Sequence, residues 1–82
     1  MEWPSWWEWE LDISPHCVKR MEDRGFTETD LRTMLADAVN LVEQAHGTFL
    51  VETQLADVRW EVIVVPEDDE QVITIVTAYP CE

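Results

Sequence analysis

Lysine is almost missing from this chain. Lys19 stands alone, and with four arginines it faces 18 carboxylates, for a formal net charge of −13 over 82 residues. Such a body repels nucleic acid and anionic lipid over roughly 8 Å, one Debye length at physiological salt, so a polyanion needs a local basic patch to land on. Cysteine is scarce too: Cys17 and Cys81 make no disulfide framework, and a reducing cytoplasm is the expected setting. No apolar run approaches the ~18 residues of a membrane span. Met1-Glu2-Trp3-Pro4 lacks the basic and apolar regions of a secretory signal. G-x-G-x-x-G, Walker and G-x-S-x-G patterns are all missing, which sets aside nucleotide-fold and serine-hydrolase chemistry. The adjacent His16-Cys17 pair cannot easily chelate one ion, and His46 and Cys81 have no C-x-x-C or H-x-x-x-H neighbour, so neither metal nor cofactor is expected.

What is present suits one small globular domain. The chain is 46% hydrophobic, too apolar for a disordered acidic tail, and long enough for one thin core. Residues 1–9 read as a Trp-rich lead-in with the start of strand one, and residues 10–82 as a single α+β domain. From Trp7 to Ile13 apolar and acidic residues alternate, the period of a strand with one buried face, beginning near Trp6 or Trp7. Trp7 and Trp9 then face the core and Trp6 faces outward. Ser14-Pro15 signals a capped helix over residues 15–24 that Gly25 terminates, with Val18 and Met21 towards the core. Thr27 and Asp30 have capping-box spacing for a second helix over 28–38, where Leu31, Met34, Leu35, Ala38 and Val39 form an apolar stripe. Residues 39–44 read as a strand or an extended link. Segments 48–55, 59–65 and 71–79, joined by Ala56-Asp57 and by a polar turn that opens with the strand-stopping Pro66, predict an antiparallel meander. The expected architecture is two helices on one face of a twisted, four- to five-stranded antiparallel sheet.

Helix one concentrates the positive charge. His16, Arg20 and Arg24 recur at i, i+4 and i+8 and line one stripe, with Lys19 beside them. Arginine grips phosphate with two parallel hydrogen bonds, and histidine is the side chain that moves protons near neutral pH. RNA cleavage uses these functions, together with a cation at the charged phosphorane. The alternative is that both arginines simply pair with nearby carboxylates on the surface. In the last segment Thr77 and Tyr79 share a face by parity, and with them Ile73 and Ile75, so that face turns hydroxyl-bearing towards its end. Arg59 opens the preceding strand and lies near them in an antiparallel pair.

Four tryptophans, Trp3, Trp6, Trp7 and Trp9, crowd the start. Trp3 and Trp6 read either as partner anchors, for a second copy or another protein, or as a flap folded over a small core. Strand one, separated in sequence from the meander, is expected at a sheet edge.

The run His16-Cys17-Val18-Lys19-Arg20-Met21-Glu22-Asp23-Arg24-Gly25-Phe26-Thr27, followed by Asp30-Leu31, resembles the opening of a bacterial and archaeal domain-of-unknown-function family. The stretch from Val72 to Pro80 resembles its closing strand, which ends in Thr-x-Tyr. The resemblance spans residues 10–80. That family is similar to the BrnT and RelE/ParE toxins and to small metal-independent ribonucleases. The resemblance implies two N-terminal helices on an antiparallel sheet and a site of His16, Arg20, Arg24, Thr77 and Tyr79. In that site His16 carries protons, Arg20 and Arg24 hold phosphate, Tyr79 donates a hydrogen bond and Thr77 binds substrate; Lys19 and Arg59, read from their positions in the sequence and not from the resemblance, are expected to bind substrate with it. RNA and a cognate antitoxin are the implied partners. Free toxins of this kind are usually basic, and this chain departs from that. The second reading is a non-catalytic acidic module on the same fold that binds a basic protein or forms a homodimer.

Overall fold

The computed structural model describes residues 3–81; Met1, Glu2 and Glu82, which belong to the lead-in and to the end of the expected domain, lie outside the described residues. A 3-10 turn at Ser5–Glu8 leads into β1 (Glu10–Ile13), α1 (Pro15–Arg24), α2 (Glu28–Ala36) and β2 (Asn40–Glu43). A second 3-10 turn, Ala45–Gly47, is followed by β3 (Phe49–Leu55), β4 (Val58–Glu67) and β5 (Val72–Pro80). The five strands form one sheet in the order β1-β5-β4-β3-β2. The class is α+β, with two helices between the first two strands.

Both helices start where their caps predict. The Ser14 hydroxyl accepts the Cys17 N–H at 3.1 Å, Pro15 fills the first helical position, and Gly25 closes α1 with a φ of 75°. Thr27 and Asp30 exchange hydrogen bonds of 3.2 and 2.9 Å in a complete capping box. α2 ends at Ala36, not at residue 38. The Val39 N–H already bonds to the Glu52 carbonyl at 2.9 Å, so sheet pairing captures the chain before the apolar stripe runs out.

The three-stranded meander β3 to β5 forms as expected, and residues 40–43, read as a strand or a link, extend it as β2, with antiparallel pairing throughout. Ala56 and Asp57 both take positive φ, 51° and 68°, as a type I′ hairpin turn requires. β4 runs through Pro66 instead of stopping there. The β3 pairing has ended by then, at Phe49 opposite Val64, so β4 has a partner on one side only and tolerates a residue without an N–H.

The sheet is mixed rather than purely antiparallel. β1 pairs in parallel with β5, Leu11 opposite Ile73 and Ile13 opposite Ile75. Two helices separate β1 from the meander, a connection long enough for either direction, and the berth beside β5 lays Leu11 and Ile13 over the common core. β1 also begins at Glu10 and not near Trp6. The residues before it wind into a turn closed by Trp7 N–H to the Pro4 carbonyl and Trp9 N–H to the Trp6 carbonyl, both 3.0 Å. This winding breaks the alternation and brings Trp6, Trp7 and Trp9 all against the core, so Trp6 turns inward.

Both helices and the Trp turn cover one face of the sheet. Cys17, Leu31 and Met34 from the helices and Val51, Val62, Val64 and Ile75 from the sheet are fully enclosed. Each enclosed Val, Leu, Ile or Met side chain contributes about 1.5–3 kcal/mol. α1 meets the sheet with Cys17 and Met21; Val18, expected there, is 44% exposed because Cys17 holds the inward position of that turn.

A β-bulge decides where the end of β5 points. Val64 pairs with Ile75 but Ile63 with Thr77, leaving Val76 as an inserted residue. Ile73 and Ile75 face the helices, and beyond the bulge Ala78 does so, while Thr77 and Tyr79 turn to the opposite face. Thr77 and Tyr79 therefore do not share the face of Ile73 and Ile75, since strict alternation fails once a residue is inserted. Among the described residues no helix is long and apolar enough to cross a membrane.

Candidate functional site

With Cys17 and Met21 turned to the sheet, α1 directs its charge outward. His16, Lys19, Arg20 and Arg24 line a hollow that Asp23 also borders. All five belong to one helix, so the hollow is an open furrow between long side chains rather than a cleft between elements. Arg20 is half-buried, and its charge draws down the Cys17 thiol, which burial raises above its usual value by a larger amount. Among the described residues the one ion pair is Arg32 with Glu28, 3.0 Å apart on α2. Arg20 and Arg24 thus have no carboxylate within ion-pair distance among the described residues, although Asp23 borders the same hollow.

A second group lies on the far face. The Tyr79 hydroxyl donates to Glu61 Oε1 at 2.7 Å. That hydrogen bond raises the phenol above its ordinary value, with burial and the Glu61 charge adding to the effect. Glu61 stands directly between Tyr79 on β5 and Glu52 on β3, and Glu52 stands opposite Asn40 on β2, whose amide donates to Glu52 at 2.7 Å. Asn40, Glu52, Glu61 and Tyr79 thus make one polar row across four strands. Arg59 points to the same face, and its carbonyl accepts the Cys81 N–H at 2.7 Å. The Cys81 thiol is raised, first by burial and then by Glu61, with Arg59 opposing. Thr77 Oγ1 is buried and has no hydrogen-bond partner among the described residues.

The fold therefore gathers His16, Lys19, Arg20 and Arg24 on one side and Arg59, Thr77 and Tyr79 on the other, with the sheet between them. Convergence of all seven on one concave patch does not occur, because the bulge turns Thr77 and Tyr79 away from α1. No group of three or more His, Cys, Asp or Glu side chains is placed to hold a metal ion among the described residues.

The profile of a domain family of unknown function, DUF4258, matches residues 13–80. The chain belongs to the DUF4258 family. No curated protein and no solved structure matches it. The matched region of the DUF4258 domain runs from the last residue of β1 to the end of β5, and the Trp-rich lead-in precedes it. These findings include no link to BrnT or RelE.

Within that lead-in, Trp3 stacks on Trp7 with ring centroids 4.7 Å apart and Trp6 leans on Phe49 at 5.0 Å. Both rings are half-buried within the DUF4258 chain itself. β1 is an edge strand, as its separation from the meander implies. The pair Glu52 and Glu61 escapes a motif search. Its signal is the two-residue turn at Ala56-Asp57, which pairs residues equidistant from it.

Proposed function

We propose that this DUF4258 domain binds a phosphodiester chain along the outer face of α1 and acts as a toxin-like, metal-independent ribonuclease. The supporting observation is that Lys19, Arg20 and Arg24, three of the five cations on a chain of net charge −13, flank His16 in one furrow with no carboxylate at ion-pair distance among the described residues. Arg20 and Arg24 fork onto non-bridging phosphate oxygens, and Lys19 adds a point charge. His16 takes the proton of the 2′-hydroxyl as that oxygen attacks phosphorus. The bond to the 5′-oxygen breaks, that oxygen gains a proton from solvent, and the products are a 2′,3′-cyclic phosphate and a 5′-hydroxyl. In this reading Tyr79, Thr77 and Arg59 take no part at the phosphate, being across the sheet from α1.

The test is incubation of the full chain with a labelled RNA oligonucleotide in chelator at low salt. The expected result is cleavage to cyclic-phosphate ends, lost in His16→Ala, and binding weakened about ten-fold or more in Arg20→Ala/Arg24→Ala. Absence of both binding and cleavage by the wild type in low and in high salt overturns the reading. A non-catalytic module is favoured by one observation: α1 offers a single imidazole where RNA cleavage uses both a base and an acid. Binding with intact RNA recovered is the signature of that alternative.

A further inference from the structure

The helix-free face of the sheet has an apolar centre on which no helix packs among the described residues. Val42, Leu50, Ile63 and Thr77 stand opposite one another on four neighbouring strands, and Val65 follows Ile63 on the same face. None of the five packs into the core under the helices. Val42 is 39% exposed, and Leu50, Ile63, Val65 and Thr77 are half-buried.

The two ends of this strip are acidic. Glu52 and Glu61 lie at one end, and Glu67, Glu10 and Asp12 at the other, on β4 and β1. Arg59 is the one cation on the face among the described residues. From Glu61 to Glu67 along β4 is roughly 20 Å at the rise of a strand, the length of about 14 residues of helix. Glu52 and Glu61 are directly opposite each other, an arrangement that costs stability when nothing lies between the charges. Asn40 and Tyr79 each satisfy one carboxylate, and Arg59 makes no ion pair with either. An outside guanidinium would bridge the two. A second copy of this chain does not suit the face, because it would set five carboxylates against five.

We propose that this face docks a basic, amphipathic segment of a partner protein, with apolar side chains on the Leu50–Ile63–Thr77 row and arginines on the Glu52–Glu61 pair and on the carboxylates at the far end. The inference does not rest on the ribonuclease reading, since α1 and this surface lie on opposite sides of the sheet. Both surfaces are open at once.

The probe is a synthetic helical peptide of about 14 residues, with leucines along one stripe and arginines at both ends of it. It is titrated into isotope-labelled full chain at physiological salt, beside a scrambled peptide of identical composition. The expected amide shifts concentrate in β3, β4 and β5, and the scrambled peptide binds about ten-fold or more weakly. Ile63→Glu and, as a milder variant, Leu50→Ser weaken the amphipathic peptide by a similar factor while retaining cooperative melting. Val18→Glu, on the other side of the sheet, leaves the affinity unchanged. Equal binding of the scrambled peptide, shifts that follow α1 or the acidic surface at large, or undiminished binding in a folded Leu50→Ser chain overturns the proposal. A concentration-dependent dimer that Ile63→Glu dissolves also overturns it, by assigning the face to a second copy.

Discussion

The Ser14 hydroxyl donates to the Val76 carbonyl at 2.9 Å, joining residues 62 apart in sequence. The same oxygen accepts the Cys17 N–H, and the Ser14 N–H bonds to the Ile75 carbonyl at 3.1 Å. One serine thus starts α1 and ties it to the bulge in β5. The bulge interrupts the ladder at Val76, and Ser14 takes up the carbonyl there. The outward aim of His16, Arg20 and Arg24 and the opposite aim of Thr77 and Tyr79 meet at this contact.

Ser14→Ala removes the cap and the tie together. The expected loss is about 1–3 kcal/mol in urea unfolding. Ser14→Asp keeps an acceptor for the Cys17 N–H but sets a carboxylate against the Val76 carbonyl, so it should not restore the wild-type stability. An alanine variant as stable as the wild type would mean that the contact carries no weight.

Gly25 closes α1 at a φ of 75°, and a Cβ added there meets no atom within 4 Å. The cost of Gly25→Ala is therefore backbone strain without a clash, about 1–2 kcal/mol. Gly25→Asn should cost less, because asparagine tolerates the left-handed region. Denaturant midpoints of the two variants check the order.

Tyr79 is the chain's single tyrosine, so its ionisation can be followed by ultraviolet absorbance without overlap from another phenol. The hydrogen bond to Glu61 raises its folded value above the ordinary tyrosine value of about 10. The protonated phenol is the stabilising form. Its contribution is complete below the ordinary value and is lost as pH rises through the raised folded value. Glu61→Gln should move the midpoint down towards that of a free tyrosine. An unchanged midpoint would show that Glu61 is not the cause.

Thr77 Oγ1 is buried and unpartnered, so the hydroxyl costs free energy where a methyl group would not. Thr77→Val should leave stability unchanged or raise it by up to about 1 kcal/mol, read as a rise in melting temperature. A clear drop would reveal a partner for the hydroxyl.

Much of the fold was legible because its signals are local. Ser14-Pro15 with Gly25, and Thr27 with Asp30, act within a few residues and need no knowledge of the rest of the chain. The hairpin at Ala56-Asp57 and the compact link from β4 to β5 force an antiparallel meander by their shortness. The cation stripe of α1 follows from helical spacing alone. Other features depend on partners distant in sequence, and these only the tertiary structure decided. Whether Trp6 to Trp9 extend or wind depends on Phe49 and the core beneath them. The direction of β1 depends on the free edge of β5, and the end of α2 on Glu52 capturing Val39. The inserted residue Val76 is a property of two strands in register, invisible in either one. That single insertion reverses the face of Thr77 and Tyr79 and divides the candidate site between the two sides of the sheet. Helix caps and tight turns are set by neighbours along the chain, whereas strand direction and register are set by which distant apolar faces meet over the core.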